Sequence, residues 1–173
     1  MRIKEIRYPE NIKIWDVRKG LPFSDNTAEA IFSSHLLEHM NFEDGQFLLK
    51  ESYRCLRKGG VIRIIVPDLY QIAKKYVFLM ETEPKAAHSD EFLQHLNMHD
   101  KKLSGVRSII YRLFGHSKHL YMYDEYSLRH LFDKNGFKHI ERMNFSQSRI
   151  PEINLIEDKG RFEMSVCLEG VKE

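Results

Sequence analysis

The chain has 173 residues, 42% of them hydrophobic and 30% charged, which is the composition of one folded globular domain. Its formal net charge of +2 is too balanced to indicate a nucleic-acid partner. No apolar run approaches the roughly 20 residues of a membrane span, so no membrane association is expected. Cys55 and Cys167 have neither disulfide nor metal-ligand spacing, and we therefore expect a cytoplasmic, reducing environment.

The N-terminal part predicts short strands followed by a helix. Alternating apolar and charged residues at 3–6 and 12–15 predict two strands, as in a hairpin, and residues 30–34 predict a third. Apolar residues at helical spacing predict a helix over residues 42–56. Gly59-Gly60 follows and is predicted to stop that helix.

The middle of the chain predicts a buried strand and its following helix. Residues 61–66 are a nearly continuous β-branched run, typical of a strand covered on both faces of a parallel sheet. Asp68 is suited to cap a helix over residues 69–80. Residues 84–119 are interpreted as a helix-rich insertion over the sheet, within a single domain that spans residues 1–173.

The C-terminal part predicts a helix over residues 124–135, with Asp124 as its cap and Gly136 at its end. Two further strands are predicted at 137–143 and 162–168. Strands that alternate with helices and end in a strand pair indicate an α/β sheet with antiparallel character at its end.

Four sequence motifs follow one another along the chain: WDVRKGLPFSDN, AIFSSHLLEHM, LLKESYRCLRKGGVIRIIVPDL and MYDEYSLRHLFDKNGF. In order and spacing they resemble the methyltransferase type 11 group of class I S-adenosylmethionine-dependent methyltransferases. The resemblance implies a Rossmann-like sheet with helices on both faces and S-adenosylmethionine as methyl donor. It also implies an acceptor site above the strand ends.

The resemblance assigns roles to individual residues by position. Asp16 matches the residue that binds the adenine amino group, and Leu21 matches one that packs near the adenine. Ser34 and His35 match the strand end that faces the methyl group, so His35 is also a catalytic candidate. Two further catalytic candidates, His119 and Tyr123, would orient or deprotonate the acceptor. The alternative interpretation makes their segment an aromatic plug that covers the sheet.

One departure from the family pattern concerns the cofactor. The sequence contains no Gly-x-Gly, and it starts roughly where the second strand of the family fold is expected, so the sheet is predicted to be truncated at its N-terminal side. We therefore expect weak or absent S-adenosylmethionine binding by this chain alone. A misplaced gene start would also explain the gap. The methyl acceptor, a small molecule or a macromolecule, is not assigned.

The alternative function is a non-catalytic methyltransferase-like binding module, or a partner subunit of another methyltransferase chain. A sheet without its first strand would expose the edge of the strand at 30–34. Exposed strand edges with apolar flanks invite pairing with another chain. A homodimer or a paired methyltransferase chain is therefore expected.

A metal interpretation was weighed as well. His35-Leu36-Leu37-Glu38-His39 fits H-x-x-E-H, in which two histidines on one helical face hold zinc. The third ligand could come from His119 or Glu125. However, His35 lies at a predicted strand-to-helix junction, which spoils the helical spacing, and we therefore expect no metal.

Overall fold

The computed structural model describes Pro9 and residues 11–98 and 118–173. The predicted strand at 3–6 lies outside the described residues. In chain order the helices and strands are β1 Ala28–Ser34, α1 Phe42–Cys55, β2 Leu56–Pro67, α2 Leu69–Thr82, α3 Ala86–His95, α4 Glu125–Lys134, β3 Lys138–Arg142 and β4 Ser165–Val171. Short 3₁₀ turns occupy Val17–Lys19, Leu37–His39, Ile153–Leu155 and Lys159–Phe162.

The strands of the described part form one sheet in the order β1-β2-β4-β3. β1 is parallel to β2, and α1 connects the two, which is the β-α-β unit of Rossmann-like folds. β4 is antiparallel to both β2 and β3. The predicted α/β class and the antiparallel character at the end of the sheet are thus confirmed.

The hydrophobic core lies between the sheet and the helices α1 and α4. Alternate residues of β2 and β4 point into it, because side chains along a strand alternate between the two faces. The core residues of the sheet and these helices include Leu48, Leu49, Ile62, Ile64, Val66, Leu128, Leu131, Phe132, Val166 and Leu168. This face of the sheet supports the site described below.

The opposite face of β2 carries Arg63, which is fully buried beneath the connection between β3 and β4. Its Nε donates to Glu157 at 2.6 Å, and its Nη1 donates to Glu169 at 2.7 Å. The backbone carbonyls of Gln147 and Asn144 accept from Nη1 and Nη2 at 2.8 and 3.0 Å. One side chain therefore anchors a long loop to the sheet.

Two predictions near the N-terminus are wrong. Residues 12–15 form no strand; Ile14 is 80% exposed, and Trp15 Nε1 instead donates to the Gly20 carbonyl at 2.6 Å. Gly59-Gly60 does not end α1, since the helix gives way to β2 directly at Leu56. The glycines lie inside β2, where the pairing with β1 shifts register between Ala28 and Ala30.

The other predicted helices are confirmed. The Asp68 side chain accepts from the first backbone amides of α2, and Asp124 forms a capping box with Ser127 at the start of α4. Gly136 follows α4 with φ of 90°, a left-handed conformation that glycine adopts without strain.

The predicted insertion at 84–119 is described only in part. Within it, α3 packs against α2, and the ring of Phe92 stacks on Tyr76 at 4.6 Å between centroids. Residues 99–117 lie outside the described residues. Among the helices of the described ranges, none combines the length and the apolar character that crossing a membrane requires.

Candidate functional site

The carboxyl end of β1 leads into a tight turn that carries polar side chains. Ser34 ends the strand, and His35 adopts a left-handed backbone conformation with φ of 51°. The His35 amide donates to the carbonyl of Ile65 on β2 at 2.9 Å, which fixes the turn to the sheet. The 3₁₀ turn Leu37–His39 follows, so His35 and His39 do not share the face of a regular helix.

Glu38 lies at the centre of this turn and is fully buried. Its Oε1 is 3.3 Å from His35 Nδ1 and 3.8 Å from His39 Nε2. Neither contact has hydrogen-bond geometry, and both Glu38 oxygens lack a hydrogen-bond partner among the described residues. Burying a carboxylate without hydrogen bonds is costly. The turn therefore buries an acidic side chain whose oxygens no described residue satisfies by a hydrogen bond.

A distant segment closes over Glu38. The Leu120 amide donates to the Glu38 carbonyl at 2.7 Å, and His39 Nδ1 lies 3.2 Å from the Lys118 carbonyl. The ring of His119 packs edge-on against that of His39, with 5.1 Å between centroids. Backbone contacts thus hold His119 beside a turn that precedes it by about eighty residues.

Tyr123 completes the cluster. It is buried, and its hydroxyl has no hydrogen-bond partner among the described residues. Burial raises the pKa of Tyr123, with smaller contributions from Tyr121 and the charge of Glu38. Burial lowers the pKa of His119, although the Glu38 charge opposes this. The contact with Glu38 raises the pKa of His35, which burial only partly offsets.

Of the three catalytic candidates of the sequence, His35 and His119 lie beside Glu38. The third, Tyr123, is near enough for the Glu38 charge to contribute to its raised pKa. Glu38 and His39 received no role in that prediction, although the H-x-x-E-H motif contained the signal for both. What the motif could not reveal is that residues 118–123 fold onto it. We call the set His35, Glu38, His39, His119 and Tyr123 the Glu38 cluster.

Asp16 and Leu21 lie on a different part of the molecule, beside α1. Asp16 caps the turn Val17–Lys19, and both its oxygens accept from the guanidinium of Arg18, at 2.8 and 3.0 Å. Hydrogen bonding to Arg18 lowers the pKa of Asp16. The Leu21 amide donates to Glu51 of α1 at 3.0 Å, and its half-buried side chain packs on the core.

The resemblance assigns these residues to the adenine end of S-adenosylmethionine. Asp16 would there have to share its oxygens between Arg18 and an adenine amino group. Backbone amides of a glycine-rich turn are a common way to hold an anionic or polar cofactor end. The sequence has no Gly-x-Gly to form such a turn for the methionine end.

An open cleft of about 680 Å³ lies at the connection between β3 and β4. It is lined by residues on both sides of the β3–β4 connection, among them Asn144, Phe145, Lys159 and Phe162. The turn Lys159–Phe162 lines this cleft and also contacts the Glu38 cluster, because the Arg161 carbonyl lies 3.0 Å from His35 Nε2. His35 therefore links the cluster to the wall of this cleft.

Comparison with solved structures finds several methyltransferases. A SAM-dependent methyltransferase from Thermotoga maritima, described as a possible histamine N-methyltransferase, is 17% identical with a TM-score of 0.47, covering 90% of this chain and 61% of that one. A SAM-dependent methyltransferase from Archaeoglobus fulgidus is 13% identical with a TM-score of 0.45, covering 87% of this chain and 62% of that one. A Haemonchus contortus phosphoethanolamine N-methyltransferase bound to S-adenosylhomocysteine is 13% identical with a TM-score of 0.46, covering 91% of this chain and 36% of that one.

The chain thus spans less than two thirds of the length of each of these proteins. A comparison with curated proteins finds no match. The family model of a methyltransferase domain matches residues 4–64, which include Asp16, Leu21, Ser34 and His35. Over residues 4–64 the chain is therefore similar to the methyltransferase-domain family, in agreement with the resemblance of its motifs.

Proposed function

We propose that this chain acts as a S-adenosylmethionine-dependent methyltransferase whose methyl acceptor binds at the Glu38 cluster. The observation that carries the proposal is the position of this cluster at the carboxyl end of a parallel strand, where α/β folds bind ligands, within a matched methyltransferase domain. S-adenosylmethionine, when bound, supplies a methyl group on a sulfonium centre. Asp16 and Leu21 would hold its adenine, and Ser34 and His35 would line its methyl side.

The catalytic roles in this proposal are assigned to three residues of the cluster. Because burial lowers its pKa, His119 stays neutral at neutral pH and is able to accept a proton or hydrogen bond from the acceptor. Tyr123 would orient the acceptor through its otherwise unpartnered hydroxyl. His35 would position the acceptor at the cleft wall. Methyl transfer depends strongly on alignment, which such fixed side chains supply.

Titration calorimetry with S-adenosylhomocysteine tests this proposal. We expect weak binding, with a Kd of about 100 µM, because only the adenine side is supplied. Asp16→Asn should weaken binding roughly tenfold or more, since it removes a charge-assisted hydrogen bond. Glu29→Gln is the matched control, because Glu29 is an exposed carboxylate paired to Arg57 and lies outside the site. If the unmodified chain does not bind S-adenosylhomocysteine at millimolar concentration, the proposal is overturned. It is also overturned if Asp16→Asn binds S-adenosylhomocysteine as tightly as the unmodified chain does.

The second candidate is a module that pairs with another chain. The observation that favours it is β1, which lies at an edge of the described sheet and pairs there with β2 alone. Ile12, Ile14 and Trp15, which precede it in the chain, are about half exposed or more. An open strand edge flanked by apolar side chains favours association. We propose a homodimer, or a pair with a second methyltransferase chain, formed at this edge.

Sedimentation at micromolar protein concentration tests this association. We expect a species of twice the 20.6 kDa chain mass, with an interface of more than about 1,000 Å². Ile14→Glu should shift the mixture towards monomer, whereas Ile156→Glu, an exposed apolar site on the β3–β4 connection, should not. A monomer at all concentrations, for the unmodified chain, would contradict the homodimer.

We also propose that residues 1–173 form a single domain and that the protein lies in the cytoplasm. Both Cys55 and Cys167 are buried and free, as suits a reducing compartment. Burial raises the pKa of Cys55, and it raises the pKa of Cys167 to about 12. Both thiols are thereby kept protonated and unreactive at neutral pH.

A further inference from the structure

We propose that Glu38, His39 and His119 form a binding site for a divalent first-row transition-metal ion. Each offers one ligand atom, a carboxylate oxygen or an imidazole nitrogen, and these atoms lie within 4.8 Å of one another. Two of the ligands come from the turn after β1 and the third from the segment before α4. The site shares Glu38 and His119 with the proposed acceptor site, but binding of an ion here requires neither S-adenosylmethionine nor methyl transfer.

Unsatisfied buried atoms point to a missing cation. Both oxygens of Glu38 and Nδ1 of His119 are buried without a hydrogen-bond partner among the described residues. Glu38 itself is 0% exposed, so water does not solvate its carboxylate. Buried polar atoms are normally partnered, and exceptions call for an explanation such as an ion. A divalent cation would satisfy the carboxylate and the imidazole together.

The environment of His39 resembles that of a metal-ligating histidine. Its Nδ1 lies 3.2 Å from the Lys118 carbonyl, which only accepts hydrogen bonds, so Nδ1 carries the proton of a neutral ring. The lone pair of Nε2 then faces Glu38 Oε1 at 3.8 Å. Two acceptors that face each other repel unless a cation or a proton lies between them. A backbone carbonyl that fixes the tautomer in this way is a common outer partner of a ligating histidine.

The donor set defines the class of metal. Two imidazoles and one carboxylate suit Zn²⁺, Mn²⁺, Fe²⁺ or Co²⁺, whereas Mg²⁺ and Ca²⁺ prefer oxygen ligands. Three protein ligands leave a coordination position open, as in catalytic zinc sites. The sequence argument against zinc depended on the spacing of His35 and His39. That spacing is immaterial here, because His119 takes the place of His35.

A competing account needs no metal. His35 Nδ1 lies 3.3 Å from Glu38 Oε1, while its Nε2 lies near the Arg161 carbonyl, so a protonated His35 could neutralise Glu38 alone. The groups that face Glu38 are therefore three imidazoles, those of His35, His39 and His119. The two accounts differ in whether His39 and His119 bind an added ion.

The test is titration of the full chain, stripped with a chelator, with Co²⁺ followed by competition with Zn²⁺. We expect one Co²⁺ per chain, with visible absorption that Zn²⁺ abolishes. His119→Ala and His39→Ala should each weaken Co²⁺ binding at least about tenfold. His139→Ala is the control, because His139 is an exposed histidine paired to Glu173. Circular dichroism verifies that each variant folds. If His39→Ala does not fold, His119→Ala alone is sufficient to test the proposal.

Absence of Co²⁺ uptake by the unmodified chain would overturn the proposal. So would binding that His119→Ala leaves as strong as in the His139→Ala control. NMR of the histidine rings gives a second measurement: on addition of Zn²⁺ the signals of His39 and His119 should shift together. If only His35 titrates and neither of the other rings responds to Zn²⁺, the ion pair of His35 with Glu38 is the correct account. None of these measurements requires S-adenosylmethionine, so they stand or fall separately from the proposed activity.

Discussion

Arg63→Met is expected to lower the free energy of unfolding by about 3–5 kcal/mol, because it removes the buried cation that pairs with two buried carboxylates. Arg63, Glu157 and Glu169 have fully buried side chains. Both carboxylates also accept from backbone amides, those of Ser146 and Arg149, but the Arg63 guanidinium is the buried cation that donates to each of them. It also donates to the carbonyls of Asn144 and Gln147. Chemical denaturation followed by circular dichroism measures the effect.

Arg57→Met is the matched control for this prediction. Arg57 also pairs with a glutamate, Glu29, but both side chains are more than half exposed, so the change should be within about 0.5 kcal/mol. A loss equal to that of Arg57→Met would contradict the prediction.

Gly170→Ala is expected to cost about 2–3 kcal/mol through overpacking of the core between β4 and α4. A Cβ atom at Gly170 would lie 2.8 Å from Cδ1 of Phe132 and 3.1 Å from Cβ of Phe137. Both aromatic residues are fully buried, so neither ring is free to swing into solvent. Thermal or denaturant unfolding measures the loss.

A second substitution makes this prediction specific. Phe132→Leu replaces the ring that makes the shortest contact with the new methyl group, so the double variant should lose less stability than the sum of the two single losses. Gly160→Ala is the control, since its Cβ would be no closer than 3.4 Å to Asp158, an ordinary contact. Additive losses in the double variant would show that Gly170 does not act through Phe132.

The regular elements around the core could be predicted because their signals are local. The cap Asp124, the helix it starts and Gly136 after it lie within a few residues of one another, and the structure reproduces them. The run at 61–66 likewise forms the C-terminal half of β2. The strand at 12–15 failed because alternation alone does not make a strand. In the described part of the chain those residues have no partner strand, and Trp15 bonds to Gly20 instead.

Local sequence patterns were sufficient to predict the α/β class, the methyltransferase resemblance and the motif that contains Glu38 and His39. These depend on patterns within short segments. The contact between His119 and this motif appears only in the folded chain. The Leu120 amide, next to His119, donates a hydrogen bond to the Glu38 carbonyl about eighty residues earlier in the sequence. The tertiary structure likewise decided the role of Arg63, whose acidic partners lie about a hundred residues away. Buried charges are satisfied by whichever groups the fold brings near, and no local pattern records that choice.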